Sequence, residues 1–191
     1  MTKQQHGSLH NSMLISMPQL DDEPFHRSLI YICEHNEQGA MGLIINHETE
    51  VVFADILPQL NISEDLATNL ELPIFTGGPV KPEHGFVLHT PLANKQWQSS
   101  IQVATDLCLT TSVDVIDDIA HDAGPEHNLI ALGYAGWGPG QLENEIANNA
   151  WICCPYDADI MFNTPPNKRF DAAARLLGID MNLISTQVGH G

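Results

Sequence analysis

The stretch from Leu132 to Trp151, LGYAGWGPGQLENEIANNAW, constrains the fold more than any other part of this chain. A continuous apolar run, Leu129 to Ala135, leads into it, as is typical of a strand buried on both faces. The run stops at a corner of glycine and proline, and a short helical pattern follows. A second apolar run, Trp151 to Cys154, comes next, and we predict that it pairs with the first.

Strand patterns outnumber helical patterns elsewhere in the chain. Ser28 to Cys33 and Met41 to Asn46 are β-rich runs joined by a polar connection that contains Gly39, which predicts an antiparallel hairpin. The clearest helical patterns are Ser63 to Leu70, Ser112 to Asp122 with Ser112 as the cap, and Pro165 to Leu177. Strands that mostly follow one another, with a few helices between them, indicate the α+β class and not a strict βαβ alternation.

Length and composition predict one globular domain over residues 1–191. A chain of 191 residues is long enough to bury a sizeable core and too short for two independent domains without a visible linker. Hydrophobic residues make up 43% and charged residues 16%, which excludes disorder and a coiled coil.

The charge balance limits the classes of partner. Seven Lys and Arg residues against 24 Asp and Glu residues give a formal net charge of −17. Such a chain repels polyphosphate and anionic lipid, so we expect neither nucleic acid nor a membrane surface as a direct partner. The acidity either serves solubility or attracts a basic partner protein.

The cysteines and the N-terminal residues indicate a cytosolic protein. Four cysteines occur without a CxxC pair, which favours reduced, buried thiols over disulfides or a zinc site. The N-terminal residues contain no apolar run of about seven residues, so we expect no signal peptide. Ten histidines include no HExxH pair, and we expect neither a metal nor another cofactor.

No catalytic signature is present. Cys33 and His35 would share one face of a regular strand about 6 to 7 Å apart, but nothing nearby supplies a third group or an oxyanion hole. The corner at Gly138 joins a strand to a helix as a phosphate loop does, yet no lysine follows it and Glu143 would compete with an anion. These observations favour a role without catalysis.

Two Gly/Pro corners are the candidate ligand site. GGPV at Gly77 and GWGPGQ at Gly136 are turn devices first, and they become a binding site only if they converge. A wall of backbone amides over the Trp137 indole would then form a pocket. The candidate lining residues are Glu34, His35, Asn46, Gly77, Gly78, Pro79, Trp137, Gly138, Gly140 and Gln141.

The same motifs give the chain a family resemblance. GYAGWGPGQLE, GGPV, Glu34-His35 and Gly42 to Asn46 together make it resemble the YqgE/AlgH family of bacterial proteins, nearly end to end. The resemblance implies a curved, mixed β-sheet, partly closed like a small barrel and surrounded by helices. Members of one branch are described as transcriptional regulators, and the resemblance brings no catalytic residues with it.

Charge and resemblance together give a functional hypothesis. A chain of this charge, without a helix-turn-helix or a basic face, does not suit a DNA reader. We therefore expect a cytoplasmic, non-enzymatic protein that regulates transcription indirectly, through a protein or small-molecule partner. The alternative is a small-molecule-binding protein or enzyme that uses a pocket between the two corners.

Overall fold

Ten β-strands join into one sheet that curls into a half barrel, in a computed structural model that describes residues 8–20 and 24–184. The strand order is β10-β1-β2-β3-β9-β6-β8-β7, and β4 is attached through β5, which pairs with β9. The strands are β1 Ser12–Ser16, β2 Leu29–Asn36, β3 Gly39–Ile44, β4 Glu48–Val52, β5 Pro73–Thr76, β6 Val80–His89, β7 Ser100–Ala104, β8 Leu107–Thr110, β9 Asn128–Trp137 and β10 Trp151–Pro155.

Short helices cover the sheet. They are α1 Phe53–Ile56, α2 Asp114–Ala120, α3 Gln141–Ala147, α4 Ala158–Phe162, α5 Pro166–Leu176 and α6 Met181–Ile184, with a 3₁₀ turn at Pro58–Leu60. In the described ranges, no helix combines the length and the apolar character that crossing a membrane requires. The expected mixed, curved sheet with surrounding helices is confirmed.

Strand β9 is the centre of the sheet, as its continuous apolar run predicts. It pairs with β6 along one edge and with β5 and then β3 along the other, and only the β5 pairing is parallel. Both edges of β9 are therefore occupied. The prediction that Trp151–Cys154 pairs with this strand is wrong, because that segment, β10, pairs antiparallel with β1.

Side-chain alternation divides the core between the two faces of the sheet. Tyr31 on β2 and Phe86 on β6 belong to the cluster on the inner face, which α4 and α5 close. On the other face, α1 and α2 cover one half, where Val87 is buried, and α3 covers the second half, where Trp137 is buried. This division decides which residues can meet in a site.

The β2–β3 hairpin is confirmed, with β2 extended to Asn36. The helix predicted from Ser63 to Leu70 is absent. The Ser63 hydroxyl accepts a hydrogen bond from the Asp65 amide, and Leu66 has a φ of 64° with a side chain that is 92% exposed. A local turn forms here because the segment buries too little apolar surface to stabilise a helix, since Leu66 is in solvent and Ala67 and Leu70 are only partly buried.

The other two predicted helices are shorter than their patterns. Helix α2 begins at Asp114, and the Ser112 side chain does not cap it but contacts the Asp114 carboxylate. Helix α5 has Phe170 on its buried face as predicted, but Arg169 beside it is also buried. Its guanidinium donates to the carbonyl oxygens of Thr164 and Ile45, whereas Lys168 and Arg175 on the same helix are exposed.

Candidate functional site

The corner after β9 is held by hydrogen bonds to one carboxylate. Glu145 on α3 accepts from the indole nitrogen of Trp137 at 2.9 Å and from that of Trp151 at 2.8 Å. Its other oxygen accepts from the Gln141 side chain at 2.9 Å, and the Gln141 oxygen in turn accepts from the Gly138 amide at 3.0 Å. The two indole rings meet edge to face at 5.9 Å. The motif therefore has a complete structural explanation.

The first corner lies against the same strand. Gly77 donates to the Leu132 carbonyl and accepts from the Ile44 amide, both at 2.8 Å, so it fills the gap between β3 and β9. Gly78 has a φ of 152°, and an added Cβ would lie 2.2 Å from the Tyr134 carbonyl carbon. Glycine is required there by backbone conformation and by close approach. Pro79 is exposed at the turn.

His35 has a defined tautomer. Its Nδ1 accepts from the Leu9 amide at 3.0 Å, so the proton is on Nε2, which donates to the Glu143 carboxylate at 2.9 Å. These bonds hold the segment before β1 and helix α3 to the hairpin. His35 faces α3 and does not reach the inner face of the sheet.

A β-bulge separates Cys33 from His35. The register shifts between Ile32 and Glu34, so Cys33 joins the inner core with Tyr31 while His35 contacts α3 on the other face. The shared face on which a Cys-His pair depends does not exist. Burial also raises the pKa of the Cys33 thiol, which keeps it protonated.

Asn46 lies at the far end of the hairpin from His35. Its side chain accepts from the Leu29 amide at 2.8 Å and donates to the Arg27 carbonyl at 2.9 Å. It closes the open end of β2 and β3, where the ladder ends. The structure therefore does not bring Asn46 together with Glu34 and Trp137.

A cleft of about 560 Å³ opens between the hairpin tip and the middle of the sheet. We call it the hairpin cleft; Glu34, Asn36 and Met41 border it on the hairpin, and Val80, Tyr134 and Gly136 border it on β6 and β9. Val80 ends the GGPV corner, and Gly136 begins the GWGPGQ corner. The two corners thus border one cavity, of a size usual for ligand sites.

Trp137 also borders this cleft, but its ring does not form a floor for it. The side chain packs with Ala135 and Leu142 on the α3 face of the sheet. Met41 and Tyr134 instead pack on the inner face, and Met41 lies directly opposite Gly136 in the ladder. The aromatic wall of the cleft therefore comes from Tyr134 and from Phe86, whose rings meet edge to face at 5.8 Å.

Three of the ten candidate residues, Gly138, Gly140 and Gln141, lie in the corner before α3 or at its start, next to Glu143. Gly138 and Gly140 are exposed in the turn, Gln141 opens α3, and Glu143 occupies the first helical turn. In residues 8–20 and 24–184, no group of three or more His, Cys, Asp or Glu residues is placed to hold a metal ion.

Sequence reasoning missed Tyr134, Gly136, Met41 and Phe86. Tyr134 and Gly136 stand inside the GYAGWG motif, and strand alternation from the buried Ala135 places both on the opposite face. That alternation was the available signal for these two residues. The sequence contains no such signal for Met41 and Phe86, because only the pairing of β3 and β6 with β9 brings these two residues to the hairpin cleft.

A second cleft, of about 380 Å³, lies on the other face between the 3₁₀ turn, β6 and α2. Leu60, Gly85, Val87 and Ile116 are among the residues that line it, and most of its surface is apolar. None of the candidate residues lies there.

Comparisons with known proteins cover nearly the whole chain. A family model described as AlgH-like matches residues 13–182. A UPF0301 protein from Thioalkalivibrio sulfidiphilus is 50% identical over 180 residues, which cover 94% of this chain and 95% of that protein. Another, from Hahella chejuensis, is 46% identical over 184 residues, or 96% of this chain and 97% of that protein.

Two solved structures are similar to this one. The solution structure of the AlgH protein from Pseudomonas aeruginosa has a TM-score of 0.78 and 41% identity, and the match covers 100% of both chains. The crystal structure of protein DIP2367 from Corynebacterium diphtheriae has a TM-score of 0.74 at 20% identity over 96% of this chain and 94% of that chain, a likeness of fold alone. Family model, relatives and fold agree, and this chain belongs to the AlgH-like family.

Proposed function

We propose that this protein regulates transcription indirectly, as a non-enzymatic cytoplasmic module that binds a partner in the hairpin cleft. The observation that carries the proposal is the convergence of both Gly/Pro corners, through Val80 and Gly136, on one open cavity. The polar groups that hold the GWGPGQ corner are already hydrogen-bonded to each other, so the neighbouring cavity, and not the corner itself, is the place where a partner can bind.

Electrostatics support an indirect route. Arg27 is paired with Asp171 at 2.8 Å and Lys95 with Asp118 at 2.5 Å, while Arg169 is buried. The other lysines and arginines in the described ranges are Lys81, Lys168 and Arg175. These three are the exposed cations of the described ranges that form no ion pair, fewer than the roughly six to ten phosphate contacts that a DNA-binding protein makes.

The size of the cleft favours a second candidate, a small-molecule ligand. A volume of about 560 Å³ lies within the range of about 300 to 1,000 Å³ that is usual for small-molecule sites. A ligand of that kind would bind the same residues and control the partner from there. The two candidates differ in the occupant and not in the site.

The test is complementation with variants that fill one cavity at a time. Gly136→Leu puts a side chain into the hairpin cleft, where the added Cβ meets the Tyr134 ring at 3.2 Å. Gly85→Leu is the matched control, because Gly85 borders the second cleft and an added Cβ meets no atom within 4 Å. In a deletion strain, we expect Gly136→Leu to fail to restore the transcript profile and Gly85→Leu to restore it.

Two results would contradict the proposal. One is full restoration of the profile by folded Gly136→Leu protein, with folding checked by circular dichroism. The other is sequence-specific binding of purified protein to promoter duplex near physiological salt, resistant to competitor DNA.

A further inference from the structure

The carboxylate of Glu34 is held at the rim of the hairpin cleft. Glu34 follows the β-bulge and pairs with Met41, which places its side chain on the inner face of the sheet. Its Oε1 accepts from the Asn36 side chain at 2.7 Å, and the Asn36 oxygen accepts from the Gln38 amide at 2.7 Å. The hairpin turn thus fixes the direction of an otherwise exposed carboxylate.

The walls beyond this carboxylate are apolar and partly aromatic. Tyr134 and Phe86 form an edge-to-face pair, and Met41 and Val80 also line the cavity. Gly136 has no side chain to occupy the space between Met41 and Tyr134. A cavity with a carboxylate at its rim and aromatic rings on its wall is suited to a cation that carries an apolar stem.

The charge around the cleft has the same sign. Glu37, in the hairpin turn, is a second exposed carboxylate near the tip. Lys81 follows Val80 but does not line the cavity. The net charge of −17 raises the local concentration of any cation near the protein, and Glu34 supplies the local contact.

We propose that the hairpin cleft binds an organic cation, the guanidinium or ammonium group of a lysine- or arginine-like molecule. Its charge contacts Glu34, and its stem packs against Met41 and Tyr134. This inference rests on the proposed function, because it names the chemistry of the group that docks in the same cleft. The cation is either a free small molecule or a side chain of a partner protein.

The experiment is a titration of the full, ¹⁵N-labelled chain at constant ionic strength, followed by amide chemical shifts. The probes are n-butylguanidinium and its neutral isostere n-butylurea. A short acetylated peptide amide with one arginine, and the same peptide with citrulline, form the second pair. We expect saturable shifts at Gly39, Met41 and Gly136 with the cationic member of each pair, and binding about tenfold weaker with the neutral member.

Matched variants separate the local contact from the general field. Glu34→Gln keeps an oxygen for Asn36 and removes one negative charge, so we expect about tenfold weaker cation binding, or about 1.4 kcal/mol. Glu37→Gln changes the net charge equally but does not line the cavity, and we expect less than a twofold effect. Tighter binding of the arginine peptide than of n-butylguanidinium would identify a protein side chain as the source, and equal binding a free cation.

Equal binding of charged and neutral probes would overturn the proposal, as would equal effects of Glu34→Gln and Glu37→Gln. Neither result touches the proposed function, which Gly136→Leu tests in cells without reference to ligand charge. Loss of regulation in Gly136→Leu together with full regulatory activity of Glu34→Gln would therefore support the hairpin cleft as the functional site and contradict the binding of a cation there.

Discussion

Replacing Glu145 tests whether one carboxylate organises the corner after β9. Trp137 and Trp151 are 6% and 2% exposed, so water cannot readily replace the acceptor that both indoles share. A buried donor without a partner costs about 1 to 3 kcal/mol. Two such donors would cost about 2 to 6 kcal/mol, but Glu145 itself is half-buried, so some water can enter and reduce this cost. For Glu145→Leu we therefore expect the free energy of unfolding to decrease by about 3 kcal/mol.

Glu145→Gln refines the same prediction. The amide oxygen can still accept from both indoles, but its NH₂ group then faces the donor of Gln141. Loss of charge and one mismatched pair should cost about 1 to 2 kcal/mol, less than the leucine variant. A free energy of unfolding that increases from Glu145→Leu to Glu145→Gln to wild type would indicate that Glu145 acts through hydrogen bonds and not through packing alone.

Urea unfolding followed by tryptophan fluorescence measures both variants, and Glu37→Gln is the control for the lost charge. For a domain of this length, about 3 kcal/mol corresponds to a Tm lower by about 6 to 12 °C. A Glu145→Leu protein within about 0.5 kcal/mol of wild type would refute the reasoning. So would equal losses for leucine and glutamine.

Three further predictions concern folding. Burial lowers the pKa of His89, whose Nδ1 donates to the Thr90 carbonyl. Below about pH 6.5 the unfolded chain therefore gains a proton that the folded chain does not, and the free energy of unfolding decreases as the pH is lowered. Urea unfolding at pH 7 and pH 5.5 should show a smaller decrease for His89→Gln than for wild type. Arg169→Met removes the donor from one buried carbonyl oxygen, that of Ile45, and from one partly buried carbonyl oxygen, that of Thr164. It should cost about 2 kcal/mol in the same assay, against no measurable loss for the exposed Arg175→Met. Gly78→Ala forces a Cβ onto the backbone of β9, so we expect Tm to fall by at least about 6 °C or the soluble fraction to disappear, whereas Gly85→Ala should keep the Tm of wild type.

Local sequence patterns predicted the elements in which apolar residues alternate regularly or follow one another without a break. The β2–β3 hairpin and the apolar strand through Ala131 were of this kind, because their residues alternate or run on without interruption. The segment from Ser63 to Leu70 has a suitable cap residue and acidic residues after it, but only Ala67 and Leu70 pack against the core, and each is only partly buried. Helix propensity alone does not stabilise a short helix when little of its apolar surface is buried, and Leu66 in this segment is exposed to solvent.

Long-range pairing was beyond local pattern. The residues Trp151–Cys154 do not indicate whether β1 or β9 is their partner strand. The partner is β1 because both edges of β9 are already paired with other strands. The bulge at Cys33 is one unpaired residue, yet it reverses the faces of the residues that follow. For this reason the sequence identified Glu34 and Trp137 as site residues but could not tell that their side chains leave the sheet on different faces.

Physical explanations for the corner motifs narrow the search for function. Gly78 is required by its backbone, and Trp137, Gln141 and Glu145 satisfy one another, so folding alone accounts for them. Gly136 is different, because its φ lies outside the left-handed region and the nearest atom to an added Cβ would be on the Tyr134 side chain, at 3.2 Å, and not on the backbone. The backbone of residue 136 therefore does not demand glycine, and a Cβ fits once the Tyr134 ring shifts by a few tenths of an ångström. Under the proposed function, a larger side chain at this position would take the space of the partner or ligand. A Gly136→Leu protein as stable as wild type but without regulatory activity would therefore locate the function at this residue.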